Sequence, residues 1–466
     1  MCLGLEEKKM PCPRGKALGG SSVLNLMMYV RGNKWDYDQW EEEGNPVSNI
    51  DYRYHGKNGY LGIENSYRSL LTETFLDGAE EIGLPEIDYN APTKSFGVSP
   101  LQATLWNGRR NSVARAFLHP IIHRNNLDIV IGAFVTKILI NEETKEAYGV
   151  QYEKNNQSAI NSPQLLILSG IGPKDHLNEL GIKCIKDLPV GKNLQDHLTF
   201  YGVVYIIKFD YDQTYFRLAT SVSDYVHFGE GPLTTVGGVE GVGFIKTSES
   251  TTEVDQPDIE LMFIRSSIAA DLGNWGKSAF KLTDEVYDSF FKPLQAKYHW
   301  SICPILLHPK TRGYLKLQSK DPYDQPLIYL KYLADPENKD VKTMIAGIRF
   351  IQKLANTTAF RKMGARLHDL SVHGCEEMVF DSDEYWECAL RTMALTLYHL
   401  LGTAKMGPRG DPTAVVNNHL QVYGIHSLRV CDCSVIPNQI SGHTNAIAIA
   451  IGEKCADYIK EYWRGR

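Results

Sequence analysis

No apolar run in this chain reaches the roughly 18 to 20 residues that a membrane-crossing helix needs. The longest, around 446–451, is broken by Gly452, Glu453 and Lys454, so no membrane span is expected. A large excess of one charge sign is missing as well. A formal net charge of −6 over 466 residues supplies no basic surface, and no nucleic-acid partner is expected. The nine cysteines are spread thinly and form no CxxC pair, which argues against a zinc ribbon or a thioredoxin-like site; no metal is expected. Cys431 and Cys433 form a CxC in a Val/Ile-rich stretch. On a strand their side chains would point to opposite faces and would not share a metal. No GxSxG elbow appears, which argues against a serine hydrolase. The first residues, MCLGLEEKK, have too short an apolar stretch for a signal peptide.

What is present fits a large globular protein. Hydrophobic residues make up 43% and charged residues 22%, near globular averages, and 466 residues exceed one compact core, so two or three domains are expected. Residues 127–138 are rich in β-branched side chains and read as a strand pair. Residues 202–209, 257–264 and 299–318 read as strands of a second, largely antiparallel sheet, with PKTRG supplying the turn in the last. Residues 339–355 place Val341, Met344, Ile345, Ile348 and Leu354 on one helical face. Residues 445–463 do the same with Ile447, Ile451, Cys455 and Ile459.

Three segments carry chemistry. In 15–38, two glycines and two serines open a Leu/Met run, which suits a loop entering a helix with free N–H groups ready for a phosphate or a flat ring. In 158–172, Ser162-Pro163 is a helix start, a capping hydroxyl followed by proline at the first helical position, and Gly170 and Gly172 end that helix. The third pairs His399, before the glycine-containing loop 401–407, with His443, ahead of the carboxy-terminal helix. A histidine near pKa 6.5 is the natural proton acceptor at neutral pH. From spacing alone a satisfied core histidine is the default at both positions. His197 reads as structural.

The string from Gly15 through Lys16, Gly19, Gly20, Ser21, Ser22, Asn25, Tyr29 and Gly32 resembles the first signature of the glucose–methanol–choline oxidoreductases. SAINSPQLLILSGIG (158–172) is similar to the family's second signature, and PVGKNLQDH (189–197) to a stretch beside its cofactor. YHLLGTAKMGP and SGHTNAIAIAIGEKCADYI resemble the segments that carry its active-site histidines. The resemblance implies an FAD enzyme that oxidises an alcohol or sugar, with quinone or oxygen as electron acceptor. His399 would be the base and His443 its partner at the substrate hydroxyl or the flavin. Leu18, Ser22, Asn25, Leu26, Met27, Met28, Thr444 and Asn445 would lie on the cofactor. Val135 would meet the adenine end by its backbone, and Asp432, in the family's strand-plus-Asp, the phosphate and ribityl region. The implied fold is α/β: an incomplete Rossmann-like FAD-binding domain (1–50, 127–200, 401–466) and an α+β substrate domain on a mostly antiparallel sheet (51–126, 201–400). HPKTRGYLKLQSKDPYDQPLI (308–328) and DEYWECALRT (383–392) resemble the animal glucose-dehydrogenase-like branch, which implies a secreted location. In that setting Cys375 and Cys388, 13 residues apart and flanking a helix start, are the best candidates for a disulfide, the other cysteines reading as buried strand or helix residues.

The sequence also departs from that pattern. A flavin enzyme of this kind is expected to carry a strand, a GxGxxG turn and a helix that cradle the pyrophosphate. The nearest string here, GGVEGVG (237–243), has the wrong spacing, and in the family the unit lies upstream of this chain's first residue. A helical stretch after Gly44-Asn45-Pro46 and a sheet strand near Gln157 are short or missing, and family prolines become Leu400 and Ile447. The expectation is therefore that these 466 residues alone bind FAD weakly. The alternative to an active enzyme is a non-catalytic, flavin-free relative or an incomplete product that acts as a binding protein.

Overall fold

The computed structural model describes residues 2–42, 56, 59–91, 94–154, 162–208 and 218–464. The stretches after Pro46 and around Gln157 where the sequence departs from its relatives lie outside the described residues, as do 158–161 of the second signature.

The dominant element is an antiparallel sheet of eight strands. Its main path runs Arg366–Leu367, Val204–Ile206, His299–Leu306, Ile259–Ile264, Val239–Ile245, Gly97–Pro100, and Leu198–Phe200 links His299–Leu306 to Ala394–Thr396. The central strands are buried on both faces, which is why they read as unbroken apolar runs rather than alternating ones. Period two still sorts their side chains. Ile259, Leu261 and Phe263 join one cluster with the helices Leu70–Glu81, Lys339–Ala355 and Asp383–Met393, where Phe75 stacks on Phe263 at 4.8 Å. Met262 and Ile264 join another, with Met28, Val30, Cys303, Ile305 and Leu307. This second face carries Glu260, between Ile259 and Leu261 on the same strand, and it faces the site.

A further apolar cluster joins Ile138, Leu166, Ile167, Val415, Val435 and Cys455 with Leu315 and Leu317. It is built on the strands Ala133–Ile140 and Ala147–Lys154, the helices Ser162–Leu168 and Thr444–Arg464, and a short parallel pair, Ile171–Gly172 with Lys186–Asp187. Tyr148, Val150 and Tyr152 of that outer strand are half or more exposed. The whole is α/β, with a mostly antiparallel sheet.

Several local expectations change. Residues 127–138 do not form a strand pair, because the strand starts at Ala133 and pairs with Ala147–Lys154. Tyr314–Lys316 does not fold back on His299–Leu306 through the PKTRG turn; it pairs with Leu327–Tyr329, to which its own register is complementary. The GGSS loop does not lead into a long helix. It makes one 3₁₀ turn, Gly20–Val23, and stops where the Asn25 side chain captures the Met27 amide and Met27 takes a positive φ. Residues 428–432 form no strand, only an isolated bridge between Arg429 and Gln421. The Cys375–Cys388 disulfide is formed, its Cα atoms 5.9 Å apart. A second, Cys431–Cys455, ties the chain ahead of Asp432 to the last helix; reading both cysteines as buried packing residues misses it.

Candidate functional site

The loop of the first signature is held by its own backbone polar groups. Ser22 Oγ donates to the Gly19 carbonyl (2.6 Å) and accepts from the Val113 amide (3.0 Å). Arg110 Nη1 donates to the carbonyls of Ser22 (3.1 Å) and Asn25 (2.7 Å) and to Asn25 Oδ1 (3.0 Å). Asn25 is thus a strut of the loop. Met28 points into the apolar cluster below, whereas Leu18 and Leu26 remain 40% and 44% exposed.

The same loop is zipped to the segment of the second histidine. The His443 amide donates to the Val30 carbonyl (3.0 Å). A Cβ on Gly442 would lie 2.5 Å from the Gly32 nitrogen, so only glycine permits this approach. Ser441 donates through its amide and hydroxyl to buried Asp36 (2.7 and 3.0 Å), and Asp36 also accepts from the Asn33 amide and from Gln256.

His399 is pinned at both ends of its peptide unit. Its amide donates to Asp196 Oδ1 (2.7 Å) and its carbonyl accepts from Gln439 Nε2 (3.1 Å). Asp196 Oδ2 accepts from the Tyr332 and Thr396 hydroxyls. Burial outweighs these donors and lifts the Asp196 carboxyl to about 6. The rings converge: His399 lies edge-to-face with His443 (centroids 4.7 Å) and with His197 (5.1 Å), and Nδ1 of His197 and of His399 are 2.8 Å apart. His443 Nε2 donates to both oxygens of Glu260 (3.0 and 3.2 Å), whose side chain is fully buried. Burial, then the neighbouring His443 and His197, hold His399 well below the ordinary imidazole value. It is neutral at neutral pH and can accept a proton.

The remaining named residues group elsewhere. Asp432 caps the 3₁₀ turn Cys433–Val435, accepting from the Ser434 amide (2.8 Å) and from Ser162 Oγ, so the second signature meets the third segment there. Val135 sits on the strand Ala133–Ile140, which the Ser169 hydroxyl ties to the helix Ser162–Leu168 through the Ile138 amide (2.8 Å). Thr444 and Asn445 open the helix Thr444–Arg464, directly after His443.

Sequence reasoning missed Asp196 and Glu260 and read His197 as structural. The available signal for Glu260 was a lone carboxylate in an otherwise apolar strand, IELMFI.

Neutral His399, exposed Leu18 and Leu26, and Gly20, where an added Cβ would meet nothing within 4 Å, suit a flat ring with a hydrogen-bonding edge. The ring end of FAD therefore fits the residues present. Among the described residues no strand–GxGxxG–helix unit cradles a pyrophosphate; the glycines of GGVEGVG lead into and lie within the strand Val239–Ile245. No group of three or more His, Cys, Asp or Glu among the described residues is placed to hold a metal, and none of their helices is long and apolar enough to cross a membrane.

Comparison with known proteins gives the family. The GMC oxidoreductase family models match residues 2–199 and 309–452. A glucose dehydrogenase (FAD, quinone) of Drosophila melanogaster is 37% identical over 498 aligned positions, which cover 99% of this chain and 76% of that protein. An alcohol dehydrogenase (acceptor) of Pseudomonas putida is 34% identical, covering 98% of this chain and 83% of that one. Among solved structures, a formate oxidase superposes with a TM-score of 0.80 at 26% identity, over 98% of this chain and 85% of its own. With both family models matched and the paired histidines in place, the chain belongs to the GMC oxidoreductases, a family that works with FAD.

Proposed function

We propose that this protein oxidises the CH–OH group of an alcohol or sugar, with His399 as the base that takes the hydroxyl proton. Bound FAD supplies the hydride acceptor. The observation that carries the reading is a neutral, buried imidazole whose backbone is fixed by Asp196 and Gln439 and whose ring meets His443. A base placed this way needs no reorganisation before it accepts a proton. His443, anchored on Glu260, orients the same hydroxyl. Leu18, Ser22, Asn25, Leu26, Met27, Met28, Thr444 and Asn445 would line the ring, and Val135 and Asp432 the nucleotide end. Quinone acceptors are favoured by the Drosophila relative, and oxygen is the alternative. The two disulfides support a location in an oxidising compartment, outside the cytosol.

These 466 residues expressed alone are expected to hold FAD weakly, because nothing described neutralises the pyrophosphate and an unpaired buried charge is costly. Fusing a strand–GxGxxG–helix unit ahead of Met1 is expected to restore binding and alcohol-dependent reduction of a quinone. Flavin absorbance per protein and turnover on a panel of alcohols and sugars check both. A flavin-loaded fusion inert to the whole panel would contradict the function, and a stoichiometric yellow protein from the unextended chain would contradict the binding argument.

A further inference from the structure

We propose that His197 is a positioning residue: it fixes the tautomer of His399 so that the proton-accepting nitrogen is Nε2. The mechanistic meaning rests on His399 as base, but the tautomer does not.

The argument starts from an atom that can only accept. The Leu307 carbonyl lies 3.1 Å from His197 Nε2, so that nitrogen carries a hydrogen. Leu307 follows the last residue of the strand His299–Leu306, and its amide is spent on the Asp258 carbonyl (3.0 Å). His197 sits just before Leu198–Phe200, and its own carbonyl accepts from the Leu397 amide (3.0 Å), which fixes the register with Ala394–Thr396. Donor and acceptor are therefore both held by the sheet. The Ile440 carbonyl is a lesser neighbour of the same ring than Leu307.

Full burial, followed by the nearby His443 and His308, pushes His197 down to about 3. At neutral pH the ring has one hydrogen, already placed on Nε2, and Nδ1 is bare. Across 2.8 Å stands His399 Nδ1. Two bare nitrogens at that distance would repel, so His399 Nδ1 carries the hydrogen and donates it. His399 is neutral too, which leaves its lone pair on Nε2. Rotating the His197 ring by half a turn would set carbons against both partners and lose both bonds. The backbone carbonyl of residue 307 thus selects, through one ring, which nitrogen of the next acts as base.

Histidine-selective 15N labelling of the full chain at neutral pH reads the tautomer, with the His399 signals assigned by their loss in His399→Asn. Wild type is expected to show His399 protonated at Nδ1 and bare at Nε2. In His197→Leu the His399 tautomer is expected to become mixed, and kcat of the flavin-loaded form to fall by roughly 10²-fold. His197→Gln, whose amide offers both an acceptor and a donor, is expected to keep the Nδ1–H tautomer and most of the turnover. Wild-type His399 protonated at Nε2 would overturn the proposal without any variant, and so would an unshifted tautomer in His197→Leu. The predicted tautomers combined with a His399→Ala enzyme of normal turnover would leave this assignment standing and remove the base.

Discussion

Replacing His399 with alanine is expected to lower kcat by roughly 10²- to 10⁴-fold in the flavin-loaded enzyme, the usual worth of a positioned general base. The substitution is a clean one because the residue's structural contacts are made by its backbone. Asp196 accepts from its amide and Gln439 donates to its carbonyl, and both bonds survive the loss of the ring. His197 loses a hydrogen-bond partner and His443 an edge-to-face ring contact. Flavin content and melting temperature should therefore stay close to wild type while turnover collapses. His443 differs. Removing its ring would leave the fully buried Glu260 side chain without this hydrogen-bond partner, and an unsatisfied buried polar group costs about 1–3 kcal/mol. An inactive His443→Ala protein would report on folding as much as on chemistry. Unaltered turnover in His399→Ala would remove that histidine from the mechanism.

Acid should unfold the protein through the same histidines. His197 titrates near 3 in the fold against about 6.5 in the unfolded chain. Below 6.5 the unfolded chain takes up a proton that the folded ring refuses, so stability falls as pH drops from 6.5 to 3. The loss from this residue reaches about 5 kcal/mol. His399, lowered for the same reason, adds a loss of the same sign. Asp196 opposes them. Its carboxyl is raised to about 6, so the fold gains as pH falls from 6 to below the ordinary carboxylate value of 3.8, by about 3 kcal/mol. Two losses against one gain leave a net loss in acid. Urea midpoints measured from pH 7 to pH 4 should therefore fall, and His197→Gln should flatten the slope. A His197→Gln protein with the wild-type pH dependence would contradict this account.

How much of this was legible depends on how local each signal is. The helices at 339–355 and 444–464 were readable because one apolar face repeats within a few turns. Strand existence was readable at 257–264, but partners were not. Nothing near Tyr314 says that it pairs with Tyr329, 15 residues on, rather than with His299–Leu306 before it, since both partners lie at similar distances along the chain. His399 and His443 were found through the strings around them. Asp196 and Glu260 were not, because each is a single carboxylate whose role appears only when residues 203 and 183 positions away arrive beside it. His197 reads as structural in sequence because the role proposed for it depends on which nitrogen meets the Leu307 carbonyl, and that is a property of the sheet register. The GGSS turn looks like a helix entrance in sequence because Arg110, which holds Asn25, is 85 residues away.

The most direct test of the central claim is anaerobic rapid mixing of the flavin-loaded protein with an alcohol or sugar substrate, protonated or deuterated at the carbinol carbon, while flavin absorbance is followed. The account predicts bleaching that slows on deuteration and that becomes slower by roughly 10² or more in His399→Ala. Flavin that stays oxidised with every alcohol and sugar tried, or bleaching at the same rate with and without His399, would contradict it.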